Sequence, residues 1–368
     1  MATTDVPAAV SDYFAHDAKF HTALGLDAGA LPELRPIGQG EYNENYAFTV
    51  PADGRPPEWS CALQGKTVRV EPRRGDERPA RTYVLRVNHG SQMHLSHQIA
   101  YEFDALKLLE PSGRTPAPYY CDDGPDAPGD GALVMSFLPG HALDYATDLD
   151  EAARIFADIH SIALPPNHGL VAPHDTLGAV IEESRELYGI YANSALADAG
   201  ACRLIGKIFD AAERAHDEAA NELSADPVRH IVNTEVNSTN FLIRDDGAPG
   251  ALVDWEKPIA GQAEQDIADF LAPTATFWKT DVILERAQMD GFLSTYREAV
   301  GERFDLSALE RRFSWYLPVI CLRGVTWCAM AQVEYADPAR PLRNESTAAK
   351  IEAYLSRDFL EMVIDDLG

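Results

Sequence analysis

A chain of 368 residues that is 46% hydrophobic and 24% charged is long enough to bury a sizeable core, which excludes disorder as its default state. Its 31 Lys plus Arg stand against 58 Asp plus Glu, a formal net charge of -27 with no local basic stripe, so a nucleic-acid partner is excluded by the field of the chain itself. The five cysteines form no Cys-x-x-Cys pair, and no stretch approaches 18 uninterrupted apolar residues, so neither a zinc site, a disulfide framework nor a membrane span is expected, and a reducing cytoplasm fits.

In chain order, residues Val6 to Leu24 read as one amphipathic helix, and Leu34 to Val50 alternates apolar and polar residues about a Gly-Gln-Gly turn, a hairpin pattern. Pro51 to Ala80 is rich in Pro, Gly and Arg and reads as a surface insertion with a short strand near Thr67 to Val70. Thr82 to Asn88 predicts a strand, Ser91 to Glu110 a helix, and Ala117 to Cys121 and Ala132 to Phe137 two more strands before Pro139-Gly140 breaks the chain. From there helical periods dominate: Asp150 to Ile162, Thr176 to Ala192, Cys202 to Leu223, Val282 to Ala299, Ser307 to Val333 and Thr347 to Ile364. One β-rich island interrupts them, with short apolar runs at His230 to Val232, Phe241 to Ile243 and Ala251 to Val253. A small antiparallel sheet with one helix in residues 1–138, then a helical lobe in residues 139–368, predicts a two-lobed α+β architecture hinged at Pro139-Gly140.

The chemistry concentrates in the island. Glu235 is followed five residues later by Asn240, and Asp254 stands next to Trp255 and Glu256, each beside a short apolar run. A carboxylate, an amide oxygen and a second carboxylate at strand ends are the kit that phosphoryl transfer requires. One acid orients and deprotonates an acceptor hydroxyl, while the Asn and the other acid hold Mg²⁺ against nucleotide phosphates. Taken singly, each residue reads equally well as a turn former.

With these residues in place the chain resembles the aminoglycoside phosphotransferase and choline kinase family, small-molecule kinases with a protein-kinase-like fold, over roughly Ile37 to Leu271. The resemblance implies metal ligation by Asn240 and Asp254, and bracing of the catalytic loop by Asp266. It also implies nucleotide binding by the glycine turn at Gly38, Gly40 and Asn43, by Arg86 in the strand after it with Glu102 as its acidic partner, and by a hinge containing Met135 and Phe137. His160 matches a histidine with a structural role, and Trp315, Tyr316, Arg323 and Trp327 lie on a helix that in relatives walls the acceptor pocket, although such aromatic spacing is more often core.

One departure stands out. The family's usual His-Gly-Asp is replaced by Asn233-Thr234-Glu235, which puts a Glu in the base position. Glutamate matches aspartate in basicity to about half a unit, yet its added methylene moves the carboxylate by about 1 Å, a displacement that can cost on the order of 100-fold in rate. The expectation is therefore a cytoplasmic, Mg²⁺-dependent kinase using ATP or GTP on a small hydroxyl-bearing acceptor such as an amino sugar or amino alcohol. The alternative is a catalytically weak kinase-fold module that binds nucleotide or metabolite. Dispersed carboxylates with only seven lysines also suit a halophilic source.

Overall fold

The computed structural model describes residues 6–27, 29, 30, 32–39, 42–51, 59–63, 66–70, 80–226, 228–337 and 345–367. In chain order the helices are α1 (Ala8–His16), α2 (Ala18–Leu24), α3 (Gln98–Leu109), α4 (Leu149–His160), α5 (Thr176–Ala192), α6 (Ala199–Ala225), α7 (Ala263–Leu271), α8 (Pro273–Lys279), α9 (Arg286–Val300), α10 (Leu309–Ala336), α11 (Glu345–Tyr354) and α12 (Arg357–Asp366). The strands are β1 (Arg35–Gln39), β2 (Asn43–Pro51), β3 (Trp59–Leu63), β4 (Lys66–Val70), β5 (Ala80–Asn88), β6 (Pro118–Asp122), β7 (Ala132–Ser136), β8 (His141–Ala142), β9 (His230–Val232), β10 (Phe241–Ile243), β11 (Ala251–Leu252) and β12 (Ile259–Gly261). The chain divides into two compact units, one of residues 1–140, 165–170 and 244–258, the other of 141–164, 171–243 and 259–368. Asp254, read from the sequence into the helical lobe, thus lies in the first unit.

The first unit is built on a seven-stranded sheet in the order β1-β2-β5-β7-β6-β3-β4. Its pairings are antiparallel except β3 with β6. Period-two alternation on β5 sends Tyr83, Leu85 and Val87 into a core with Phe14, Phe20, Phe48 and Tyr120, which seats α1 and α2 on that face. Val84 and Arg86 therefore point to the opposite face, and Arg86 meets Glu102 of α3 there. The segment carrying Asp254 is anchored to the same unit, since the Leu252 N–H donates to the Arg114 carbonyl (2.8 Å) and Arg114 Nη1 to the Gly250 carbonyl (3.1 Å).

Three expectations are corrected here. The N-terminal helix is two, because the Asp17 carboxylate accepts the Lys19 and Phe20 N–H groups and starts α2 where α1 stops. The segment read as a surface insertion holds the strand expected near Thr67 to Val70, which is β4, but also a second strand, β3, and both join the sheet. The last helix is also two, divided where the Ser356 side chain caps α12.

In the second unit α10 packs against α5, α6 and α7. By length and composition α10 could cross a bilayer, but 72% of its most apolar window is buried in the protein, as befits a core helix. Phe156, Phe241, Phe270 and Phe292 interlock edge-to-face and tilted between α4, β10, α7 and α9. β9 pairs with β12, and the loop that leaves β9 carries the residues of interest.

Candidate active site

The loop after β9 is fixed by side chains that take up its backbone. The Asp266 carboxylate, fully buried on α7, accepts the N–H groups of Asn233 (2.7 Å) and Thr234 (2.9 Å). Asn233 Oδ1 accepts the Glu235 N–H (3.0 Å), Arg323 Nη1 donates to the Thr234 carbonyl (3.1 Å), and Asn240 Nδ2 donates to the Glu235 carbonyl (2.9 Å). Behind Asp266 stands His160, also buried, with Nε2 3.4 Å from the carboxylate and Nδ1 2.9 Å from the Tyr296 hydroxyl. Thr234 is held at φ 71°, a left-handed conformation unusual for a β-branched residue. Such strain persists only where surrounding contacts over-determine it, as they do here. The outcome is a braced turn that fixes the backbone at Glu235 and holds Asn240 through its amide nitrogen.

The first unit assembles a different cluster. Buried Arg86 donates through Nη1 to Glu102 Oε1 (2.6 Å) and Asp254 Oδ1 (3.1 Å), and through Nε to Asn45 Oδ1 (3.0 Å). Burial works against the guanidinium charge, but the carboxylates of Glu102, Asp254 and Glu256 more than offset it and hold the group above its ordinary pKa. Asp254 also adopts a left-handed φ, 67°, with its side chain 32% exposed. Two residues on, the Glu256 carboxylate accepts from Asn43 Nδ2 and from Gln92 Nε2 (3.3 Å), and its backbone carbonyl accepts from Gln98 Nε2 (2.6 Å). Asn88 Nδ2 completes the chain on Asn43 Oδ1 (2.9 Å). Asn43 is thus 6% exposed and engaged by its neighbours on both sides.

A sequence profile described as the phosphotransferase enzyme family matches residues 33–306, well over half of the chain. The chain belongs to this phosphotransferase family. No curated protein sequence matches it. Among solved structures it is similar to a spectinomycin phosphotransferase in complex with ADP and spectinomycin (TM-score 0.55, 11% identity, 91% of this chain and 92% of that one). It is similar as well to a thermostable aminoglycoside phosphotransferase mutant in ternary complex with AMP-PNP and hygromycin B (TM-score 0.55, 12% identity, 97% and 98%). A third is an ethanolamine kinase of Plasmodium vivax (TM-score 0.54, 13% identity, 90% and 84%). At such identities these likenesses establish the fold, which is protein-kinase-like and α+β.

In the phosphotransferase, the remaining residues singled out from the sequence fall as follows. Gly38 sits in β1 beside a register shift, and a Cβ there would meet nothing within 4 Å, so no protein contact demands a glycine. Gly40 lies outside the described residues. Met135 is buried in β7, while Phe137 is 39% exposed and gives its N–H to the Thr82 carbonyl (3.0 Å). Tyr316 is core, with its hydroxyl on Thr176 (2.5 Å) and Gln262 (2.8 Å), whereas Arg323 on the same helix reaches the loop after β9. Glu256, Asn233 and Gln98 were missed as contributors to these clusters. Glu256 carried a signal in its place in Asp-Trp-Glu and Asn233 in its place at the head of Asn-Thr-Glu, whereas Gln98 carried none.

Proposed function

We propose that this phosphotransferase is a kinase that moves the γ-phosphoryl group of ATP or GTP onto a hydroxyl of a small metabolite, an amino sugar or amino alcohol, with Mg²⁺ as cofactor. The observation that carries the reading is the braced loop, in which Asp266 ties down two successive N–H groups and so fixes the carboxylate-bearing residue that follows. In this role Glu235 orients the acceptor hydroxyl and takes its proton. The new O–P bond forms as the bond to the bridging oxygen of the nucleoside diphosphate breaks. The resemblance assigns metal ligation to Asn240 and Asp254. The donor set fits, because a carboxylate and an amide oxygen are the hard ligands that Mg²⁺ takes. When bound, Mg²⁺ neutralises charge on the nucleotide phosphates.

Arg86, paired with Glu102, positions Asp254 and is assigned to the phosphates together with the Gly38 and Gly40 turn and Asn43. Met135 and Phe137 belong to the hinge that receives the purine. The acidic chain favours a cationic acceptor, and the structures bound to spectinomycin or hygromycin B, with the ethanolamine kinase, support that class. A cytoplasmic location is carried by the cysteine usage, and a halophilic source by the excess of carboxylates.

The second reading is a kinase-fold module that binds without turnover, and the Asn-Thr-Glu sequence of the loop favours it. Both are tested by incubating the protein with ATP or GTP and Mg²⁺ in molar KCl with amino sugars, amino alcohols and neutral polyols, and following products by ³¹P NMR. A new phosphomonoester formed in step with nucleoside diphosphate is expected. Nucleotide binding with no ester from any acceptor would leave the binding module standing instead.

A further inference from the structure

The second unit contains a pocket of about 190 Å³, where the C-terminus of α6 meets the N-terminal ends of α7 and α10. That is room for about six waters. None of its lining residues belongs to the proposed catalytic set. Glu264 lines it at only 5% exposure. Among the described residues no side chain donates to the Glu264 carboxylate. Its hydrogen bond comes from its own backbone N–H, and burial pushes its pKa up to about 7. Arg312 also lines the pocket, but its Nε and Nη1 are taken up by Glu222 (2.9 Å) and Asp226 (2.6 Å). His230 gives its Nδ1–H to the His160 carbonyl (2.6 Å), and burial, with His160 beside it, lowers its pKa to about 4. The ring is therefore neutral, with Nε2 an acceptor. Phe304 lies 4.5 Å from the His230 ring, centroid to centroid, and adds an apolar, π-rich wall.

A nearly buried carboxylate that no side chain donates to among the described residues, an imidazole acceptor and an aromatic face are complementary to a positive charge on an apolar stem. We propose that this pocket binds a small organic cation, a primary alkylammonium whose N–H groups meet the Glu264 carboxylate and His230 Nε2 while its alkyl part lies against Phe304. Isothermal titration of the whole protein with n-butylammonium chloride in molar KCl at about pH 8, where the Glu264 carboxyl is ionised, tests it, with 1-butanol as the neutral probe. One saturable site is expected, weakened at least about tenfold by Glu264→Gln and by the pocket-filling Ala308→Phe, with no saturable binding of 1-butanol. Ala308 lines the same pocket, so the second variant keeps the test decisive if the first perturbs folding. Absence of saturable binding, equal binding of 1-butanol, or affinity unchanged in both variants would overturn the proposal. Phosphoryl transfer does not enter this readout, so the outcome stands apart from the kinase reading.

Discussion

Two non-glycine residues next to or within the proposed catalytic set have left-handed backbones, Thr234 at φ 71° in the second unit and Asp254 at φ 67° in the first. For a β-branched residue this conformation costs about 1–2 kcal/mol, and the family's usual residue at the Thr234 position is glycine. Glycine relieves that strain but raises the entropy of the unfolded chain by about 0.5–1 kcal/mol, so Thr234→Gly is expected to leave stability unchanged or raise it by up to about 1 kcal/mol in urea unfolding. A clear loss of stability would show that the Thr234 side chain contributes more than its backbone strain costs. Glu264 supplies a pH effect. It keeps its proton in the folded chain up to about pH 7, against an ordinary value of 4.5, so its stabilising contribution is full below 4.5 and fades as the pH rises through 7. Glutamine mimics the neutral form. Relative to the parent, Glu264→Gln should therefore gain about 2 kcal/mol between about pH 5.5 and about pH 8, and a pH-independent difference would refute the shift. At this scale spacing singled out Glu235, Asn240 and Asp254 as candidates, and alternation along β5 placed Arg86 on the face opposite the core. It could not show that Asn43 is held by Glu256 or that Arg86 holds Asp254, because those partners lie 213 and 168 residues away along the chain.

Between elements, the decisive link runs from α7 to the loop after β9. Asp266→Asn replaces one accepting oxygen with a donor, leaving one of two buried N–H groups unsatisfied at a cost of about 1–3 kcal/mol. The expected result is at least about tenfold faster hydrogen exchange at the Asn233 and Thr234 amides and a fall in turnover on the order of 100-fold, with helix content by circular dichroism retained. Unchanged exchange would mean that the loop is held by other contacts. Long elements such as α5 and α10 were readable from periodicity, as were β5, β6 and β7. What periodicity could not show were the interruptions: a single capping carboxylate at Asp17 and a capping hydroxyl at Ser356 each divide a continuous apolar pattern. α7 and α8 were also missed, being 9 and 7 residues long, too short to establish a helical period.

For the whole molecule, a net charge of -27 means that the folded chain repels itself in dilute buffer. Screening shortens from about 10 Å at 0.1 M salt to about 3 Å at 1 M, so the thermal midpoint should rise by several degrees when KCl is raised across that range. A midpoint that is flat or falling would argue against adaptation to salt. The most direct test of the phosphotransferase assignment is transfer of ³²P from γ-labelled ATP or GTP to an acceptor, compared among the parent, Glu235→Gln and Asp254→Ala. Turnover in the parent that drops by at least about 100-fold in both variants is predicted, with Mg²⁺-nucleotide affinity also weakened in Asp254→Ala. Turnover that persists at the parent rate in either variant would contradict the roles given to these two carboxylates.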